Sequence, residues 1–308
     1  MGVVGLGSFG RHHARHYASQ PGAVLAAVAD LDARQTAAAA ETYGAAPFAD
    51  HRDLIGKVDA VSITVPASLH HAVAADFIDA GVHVLIEKPI ATDSAAARDL
   101  IARAGRAGVI LQVGHIERFS PAVGELRLRV TNPRRIACRR RAKWPGRSID
   151  VDVILDLMIH DIDLVLTLAN APLASVAASG AEVASGMTDE AEAWLTFASG
   201  LIATLSVSRV AEEGERKLTV TEPDTVFSAD LAVPSLSFVG RRVPHAVPVP
   251  IVLPRRDSLG AEIAAFLKSV ATGTPPEVDG RAGLAALEVA ERIQGAILDM
   301  QAPARRSH

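Results

Sequence analysis

The chain has 308 residues, 49% of them hydrophobic and 21% charged, with a net charge of −4 and one cysteine, Cys138. That length and apolar content suit two folded domains and exclude disorder. One cysteine excludes an intramolecular disulfide framework and a cysteine-built zinc cluster, and the negative balance argues against nucleic acid or an anionic membrane surface. The N-terminus lacks a basic segment followed by a long apolar core. The longest apolar stretch, 149–168, is interrupted by Asp150, Asp152, Asp156, His160, Asp161 and Asp163, too polar for a membrane span. The expectation is a cytoplasmic protein without membrane insertion.

In chain order, Gly2, Val3 and Val4 come first. Three residues are few for a buried strand of about five or six, so either the strand is clipped or the chain starts a few codons upstream. Gly5-Leu6-Gly7-Ser8-Phe9-Gly10 follows and opens a helical segment over 8–19. Asp30 ends the next apolar run, 24–29. Strand, glycine turn, helix and distal acid together predict a dinucleotide site. Gly5 makes the tight turn, Gly7 lets the backbone approach a pyrophosphate, and Gly10 lets helix and strand pack closely. The helix start at Ser8 and Phe9 offers free N–H groups to phosphate. Asp30 accepts from ribose hydroxyls. Asp30 and Asp32 would repel a 2′-phosphate, so the expected cofactor is NAD rather than NADP; Arg34 nearby argues the other way.

Apolar runs at 60–65, 82–86 and 109–113 alternate with helical segments at 33–43, 69–80 and 94–107. This predicts an α/β fold with a Rossmann-like, doubly wound parallel sheet over 1–116. The pattern then changes. A helix is expected at 121–129, a strand at 135–143 and an amphipathic helix at 153–168. Strands follow at 175–183, 192–197, 201–207, 217–221 and 226–231, with Ala198-Ser199-Gly200 as a hairpin connection. Helices at 259–272 and 281–300 close the chain, separated by Gly273-Thr274-Pro275-Pro276. Residues 117–300 thus form an α+β domain with an open, largely antiparallel sheet, and 301–308 a frayed tail.

Three segments carry chemistry. Glu87-Lys88-Pro89 lies at the carboxyl end of a strand, where open α/β sheets bind ligands. Lys88 is there either a solvated charge or a group that stabilises an alkoxide or relays a proton. In Asp156-Leu157-Met158-Ile159-His160-Asp161-Ile162-Asp163, Asp156 and His160 share one helix face. They are either a satisfied core pair or a histidine base tuned by a carboxylate. A metal reading finds two candidate ligands and no third at suitable spacing, so no metal is expected. Gly114-His115-Ile116-Glu117-Arg118-Phe119-Ser120-Pro121 joins the two halves and is either a plain hinge or a segment that holds an anionic or hydroxyl-rich substrate.

Taken with Val65-Pro66-Ala67-Ser68-Leu69-His70 and Ala198-Ser199-Gly200, these motifs occur in one order and spacing, and by them the chain resembles the glucose–fructose oxidoreductase/inositol dehydrogenase (Gfo/Idh/MocA) family. The resemblance spans nearly the whole sequence. It implies an NAD- or NADP-dependent dehydrogenase that oxidises one hydroxyl of a sugar or cyclitol, assembled as a dimer or tetramer through the C-terminal sheet. It implies that Lys88, Asp156 and His160 are catalytic and that Pro66, His70, Glu87 and Lys88 lie on the nicotinamide side of the cofactor site. The 114–121 and 154–163 segments are similar to the UDP-N-acetylglucosamine 3-dehydrogenase subgroup, which makes a 3-keto sugar nucleotide. That implies a UDP-sugar substrate met by His115, Arg118, Phe119 and Arg147. Asp150-Val151-Asp152-Val153 stands where many members have a glycine-rich approach to the catalytic helix. Arg139, Arg140, Arg141, Lys143 and Arg147 are either a solvated or interface-facing strand or partners of a diphosphate. The competing readings are a free sugar or inositol dehydrogenase and a non-catalytic NAD-binding regulator.

Overall fold

The computed structural model describes residues 1–144, 150–242 and 244–301. Strands β1 (Gly2–Val4), β2 (Ala27–Ala29), β3 (Ala46–Phe48), β4 (Ala60–Ile63), β5 (His83–Glu87) and β6 (Leu111–Gly114) form a parallel sheet in the order β3-β2-β1-β4-β5-β6. Helices α1 (Gly10–Ser19), α2 (Ala33–Tyr43), α3 (His70–Asp79) and α4 (Ser94–Ala107) connect them. The order reverses between β1 and β4, and such a reversal opens a ligand crevice at the carboxyl ends of the strands. Val84, Leu85 and Ile86 of β5 are fully buried, as a strand covered on both faces requires. Local chemistry fixes the helix ends. Asp32 and Asp93 accept from the backbone N–H of Arg34 and Ala96, and Gly44 and Gly108 close α2 and α4 at φ of 70° and 67°.

The chain divides into two compact units, and here one expectation is corrected. Residues 257–285, expected in the second domain, belong with Met1–Ile116. The reason is apolar packing. Leu259, Ile263 and Phe266 of α7 (Ser258–Thr272) join the same core as Leu6, Tyr17 and Leu25. Each such side chain contributes about 1.5–3 kcal/mol on burial. Val113 N–H also donates to the Val278 carbonyl at 2.9 Å, extending the edge of β6. The unit boundary then falls within the last helix, α8 (Gly280–Gln301).

The second unit comprises Glu117–Arg256 and the chain from Ala286 onward. It starts with α5 (Pro121–Arg129) and β7 (Arg135–Arg141). A π-helical turn, Ile154–Met158, leads into α6 (Ile159–Ala169). Then come β8 (Leu173–Glu182), β9 (Thr188–Phe197), β10 (Ile202–Ser208), β11 (Glu215–Thr221), β12 (Thr225–Asp230), β13 (Ser235–Gly240) and β14 (Val249–Ile251). These form an eight-stranded sheet in the order β14-β13-β12-β11-β7-β10-β9-β8, antiparallel except for β7 beside β10. Ala198-Ser199-Gly200 joins β9 to β10 as a hairpin, with Gly200 at φ 82°. Strands β3, β13 and β14 were not expected. β3 and β14 are three-residue edge strands with proline in the middle, where no ladder donor is needed.

Inside the first unit, Glu262 of α7 is completely buried, and neither carboxyl oxygen has a hydrogen-bond partner among the described residues. Burial pushes its pKa well above the ordinary 4.5, and the nearby Glu87 adds to the shift. A carboxyl raised on folding gives stability that is complete below its unfolded pKa and is lost as pH rises through the folded value. Glu262→Gln keeps the shape and removes the ionisation. Its melting temperature relative to the parent is therefore expected to climb as pH rises above 4.5, in thermal melts taken at several pH values. A constant difference across pH would contradict a protonated Glu262.

Candidate active site

The glycine turn between β1 and α1 has the space a dinucleotide needs. Gly5 sits at φ 85°, a conformation that L side chains rarely adopt. A Cβ on Gly10 would lie 1.8 Å from the Gly5 carbonyl oxygen, so only glycine lets α1 pack there. A Cβ on Gly7 would meet nothing within 4 Å, which leaves open room above the turn. Gly7, Ser8 and Phe9 are exposed at the start of α1, where N–H groups and the helix dipole favour phosphate. The Asp30 carboxylate accepts from the backbone N–H of Leu6 and of Asp32 and so braces the turn. A carboxylate has about four acceptor sites, leaving capacity for ribose hydroxyls. Arg34 is held on the two Asp32 oxygens at 3.2 Å each, in an exposed ion pair. These residues fit a dinucleotide without a 2′-phosphate.

At the neighbouring strand ends, Pro66 is exposed and His70 is buried. The two ring nitrogens of His70 lie 2.7 Å from the Pro89 carbonyl oxygen and 2.9 Å from that of Val65. His70 therefore ties the loop after β4 to the loop after β5. Lys88 is the one half-exposed residue between Val84 and Ala91. Glu87, expected at the cofactor, turns inward instead: its carboxylate meets His13 Nε2 at 3.0 Å, with 11% of the side chain exposed. His13 Nδ1 meets Ser62 Oγ at 3.0 Å, and Tyr17 OH meets the same oxygen at 2.7 Å. His13 was not among the expected site residues. Its signal was one turn of helix after Gly10, and only the fold reveals its partner on β5.

In the second unit, the expected continuous helix over 153–168 instead begins with a π turn, in which Ile159 N–H donates to the Ile154 carbonyl. Such turns recur at functional sites. From Val153 to Val165 every side chain is buried except Asp156, Leu157 and His160. A carboxylate and an imidazole thus share the one open stretch of an otherwise buried helix. The flanking acids are anchored. Asp163 receives two hydrogen bonds from Arg118, at 2.8 and 2.6 Å, and Asp161 meets Arg140 of β7 at 2.9 Å. Glu117 lies 3.0 Å from Arg140 as well. Burial alone would lower the Arg140 pKa, but Asp161 and Glu117 outweigh it and hold the guanidinium charged.

The substrate expectations fare unevenly. Arg118 is ion-paired to Asp163, Phe119 is a core side chain, and His115 is buried. Arg147 lies outside the described residues, as does the tail from 302. Arg140 is a buried brace and not a diphosphate ligand, because β7 alternates and places it on the covered face. Arg139 and Arg141 take the other face, near Glu215 and Ser206. Among the described residues no group of three His, Cys, Asp or Glu side chains is arranged to hold a metal ion.

Residues 1–115 match the model of an oxidoreductase family with an NAD-binding Rossmann fold, and 122–223 match the GFO/IDH/MocA C-terminal domain. A UDP-N-acetylglucosamine 3-dehydrogenase from Acidithiobacillus ferrooxidans is 38% identical over 303 residues, 96% of each chain. Its solved structure superposes with a TM-score of 0.90 over 96% of each chain. The chain belongs to the Gfo/Idh/MocA oxidoreductase family. A second relative, the myo-inositol 2-dehydrogenase of Thermotoga maritima, is 28% identical over 93% of this chain and 92% of its own. As a Gfo/Idh/MocA member the protein is a dehydrogenase that uses NAD.

The two glycines separate ligand approach from packing. Gly7→Ala is expected to keep the parent melting temperature and weaken NAD binding by roughly tenfold or more in calorimetry, since the turn must admit phosphate closely. Gly10→Ala forces a methyl into backbone and is expected to lower the melting temperature itself.

Proposed function

We propose that the protein oxidises a hydroxyl of UDP-N-acetylglucosamine to the 3-keto sugar nucleotide. When bound, NAD supplies the hydride acceptor. The residues of this chain handle the proton and the charge. His160 accepts the hydroxyl proton, and Asp156 holds the imidazole in the tautomer that leaves a nitrogen free for it. Lys88 lends its positive charge to the oxygen as negative charge builds there. The observation that carries the chemistry is that Asp156 and His160 are the polar side chains left only partly buried on an otherwise buried helical stretch. The substrate rests on 38% identity over 96% of the chain to a relative of that name.

A second reading, oxidation of a free sugar or inositol, is favoured by the 28% identity to a myo-inositol dehydrogenase. Reduced-nicotinamide formation with UDP-N-acetylglucosamine, N-acetylglucosamine and myo-inositol, run with a carbonyl trap, decides between them. Turnover with the UDP sugar alone is expected. Turnover with a free polyol would select the second reading, and cofactor binding without turnover would make the protein a regulator. His160→Asn and Lys88→Met are each expected to lower kcat by about 100-fold or more, as loss of a general base or of oxyanion stabilisation does.

We also propose a homo-oligomer built on the C-terminal sheet. Its support is the face that Trp194 and Ile202 leave exposed on β9 and β10. Light scattering should report a dimer or tetramer, and Trp194→Asp should shift it toward monomer. An unchanged monomeric mass for the parent would refute this.

A further inference from the structure

The Glu87 carboxylate is the least expected feature of the first unit. It follows the apolar stretch Val84, Leu85 and Ile86 and is immediately followed by Lys88, yet it points into the protein. Three elements of the fold are shaped around it. From α1, His13 reaches it with Nε2 at 3.0 Å, and the other ring nitrogen is held by Ser62 of β4. From the adjacent strand, Gly114 pairs with Glu87 in register, and a Cβ there would stand 2.9 Å from the Glu87 carboxyl carbon and one of its oxygens. From α7, the buried Glu262 carboxyl has its pKa raised by burial first and by Glu87 second. A charged side chain buried this way is costly unless it is paired and used.

We propose that Glu87 is a positioning residue of the dehydrogenase: seated on His13 and given room by Gly114, it fixes the end of β5 and with it the placement of Lys88. The proposal rests on the assignment of Lys88 to the chemistry. Its physical basis is short leverage. Lys88 is the next residue along the chain, so a shift of the Glu87 side chain is passed to it through a single peptide unit. Misplacement of a catalytic group by about 1 Å costs on the order of 100-fold in rate. Ser62 holds His13 with a hydroxyl that Tyr17 also engages, so the ring cannot swing away from Glu87 without breaking a buried hydrogen bond. Tyr17 is fully buried, and burial raises its pKa far above the ordinary tyrosine value, so it remains an uncharged phenol.

Gly114 supplies a test that leaves every charged group in place. Its φ is not in the left-handed region, so alanine fits the backbone, and the three atoms nearest the added methyl all belong to the end of the Glu87 side chain. Gly114→Ala should therefore fold, with a melting temperature within a few degrees of the parent. It should lower kcat by about 10- to 100-fold, with KM and the calorimetric NAD affinity changed less than about threefold. A crystal structure of the variant should show Glu87 displaced from His13. His13→Leu should lower kcat similarly, and His13→Gln, which keeps a donor near the Nε2 position, should recover most of the loss.

In a Lys88→Met background Gly114→Ala should have no further effect on the residual kcat, because both changes act on one group. Gly114→Ala with kcat within about twofold of the parent, or with a full additive loss in the Lys88→Met background, would overturn the proposal. Lys88→Met with undiminished turnover would instead remove the role of Lys88, a failure of the underlying reading that the same experiment identifies separately.

Discussion

A parallel sheet covered by helices on both faces has no free surface along its strands. Chemistry is then possible only where the strands stop. In the first unit this constraint arranges everything of functional interest. The glycine turn follows β1, Asp30 follows β2, Pro66 and His70 follow β4, and Lys88 follows β5. Each position is reached by a chain that has just left a buried strand, so each inherits a rigid base. The cost falls on polar groups that must remain inside. Ser62, Glu87, Gln112 and Glu262 are all buried, and the first two are satisfied by His13. The sheet makes the site rigid, and the polar interior below it keeps the strand ends in register with one another.

The second unit solves the same problem with ions. Its helix α6 and the preceding π turn are nearly all buried, and a buried helix has no polar surface to set its rotation. Two arginines do so: Arg118 grips Asp163, and Arg140 grips Asp161. Buried ion pairs of this kind add little net stability, because desolvation offsets attraction, but breaking one leaves an uncompensated charge. They therefore act as specificity devices. The helix has one acceptable rotation, and that rotation leaves Asp156 and His160 at the open side.

Much of this was legible in the sequence. The glycine turn and Asp30 announce themselves by spacing, and the alternation of apolar runs with helices yields the order of elements. Helices α2, α4 and α5 begin and end where their caps and breakers imply. What escaped was contact between distant segments. Nothing near His13 names Glu87, seventy-four positions away, as its partner. Arg140 and Arg118 read as available cations, because a strand or turn full of arginine looks solvated until the facing helix supplies acids. Phe119 counted as a substrate contact through the resemblance of its segment, yet its aromatic ring is buried in the core. Residues 257–285 were misplaced for a related reason. Amphipathic periodicity says that a helix has an apolar face, and is silent about which core that face will enter.

That last feature bears on how the protein is made. The core around Leu6, Tyr17 and Leu25 is completed by Leu259, Ile263 and Phe266, which a ribosome delivers only after residues 117–256 have been synthesised. At about 5–20 residues per second, this leaves the first unit with an uncovered apolar face for roughly ten to thirty seconds. During that interval the nascent chain offers chaperones a target that the finished protein does not have. The second unit has its described strands, β7 to β14, in one continuous stretch, and only its part of α8 follows later. Because the unit boundary falls within α8, neither unit is complete until the last helix has been made.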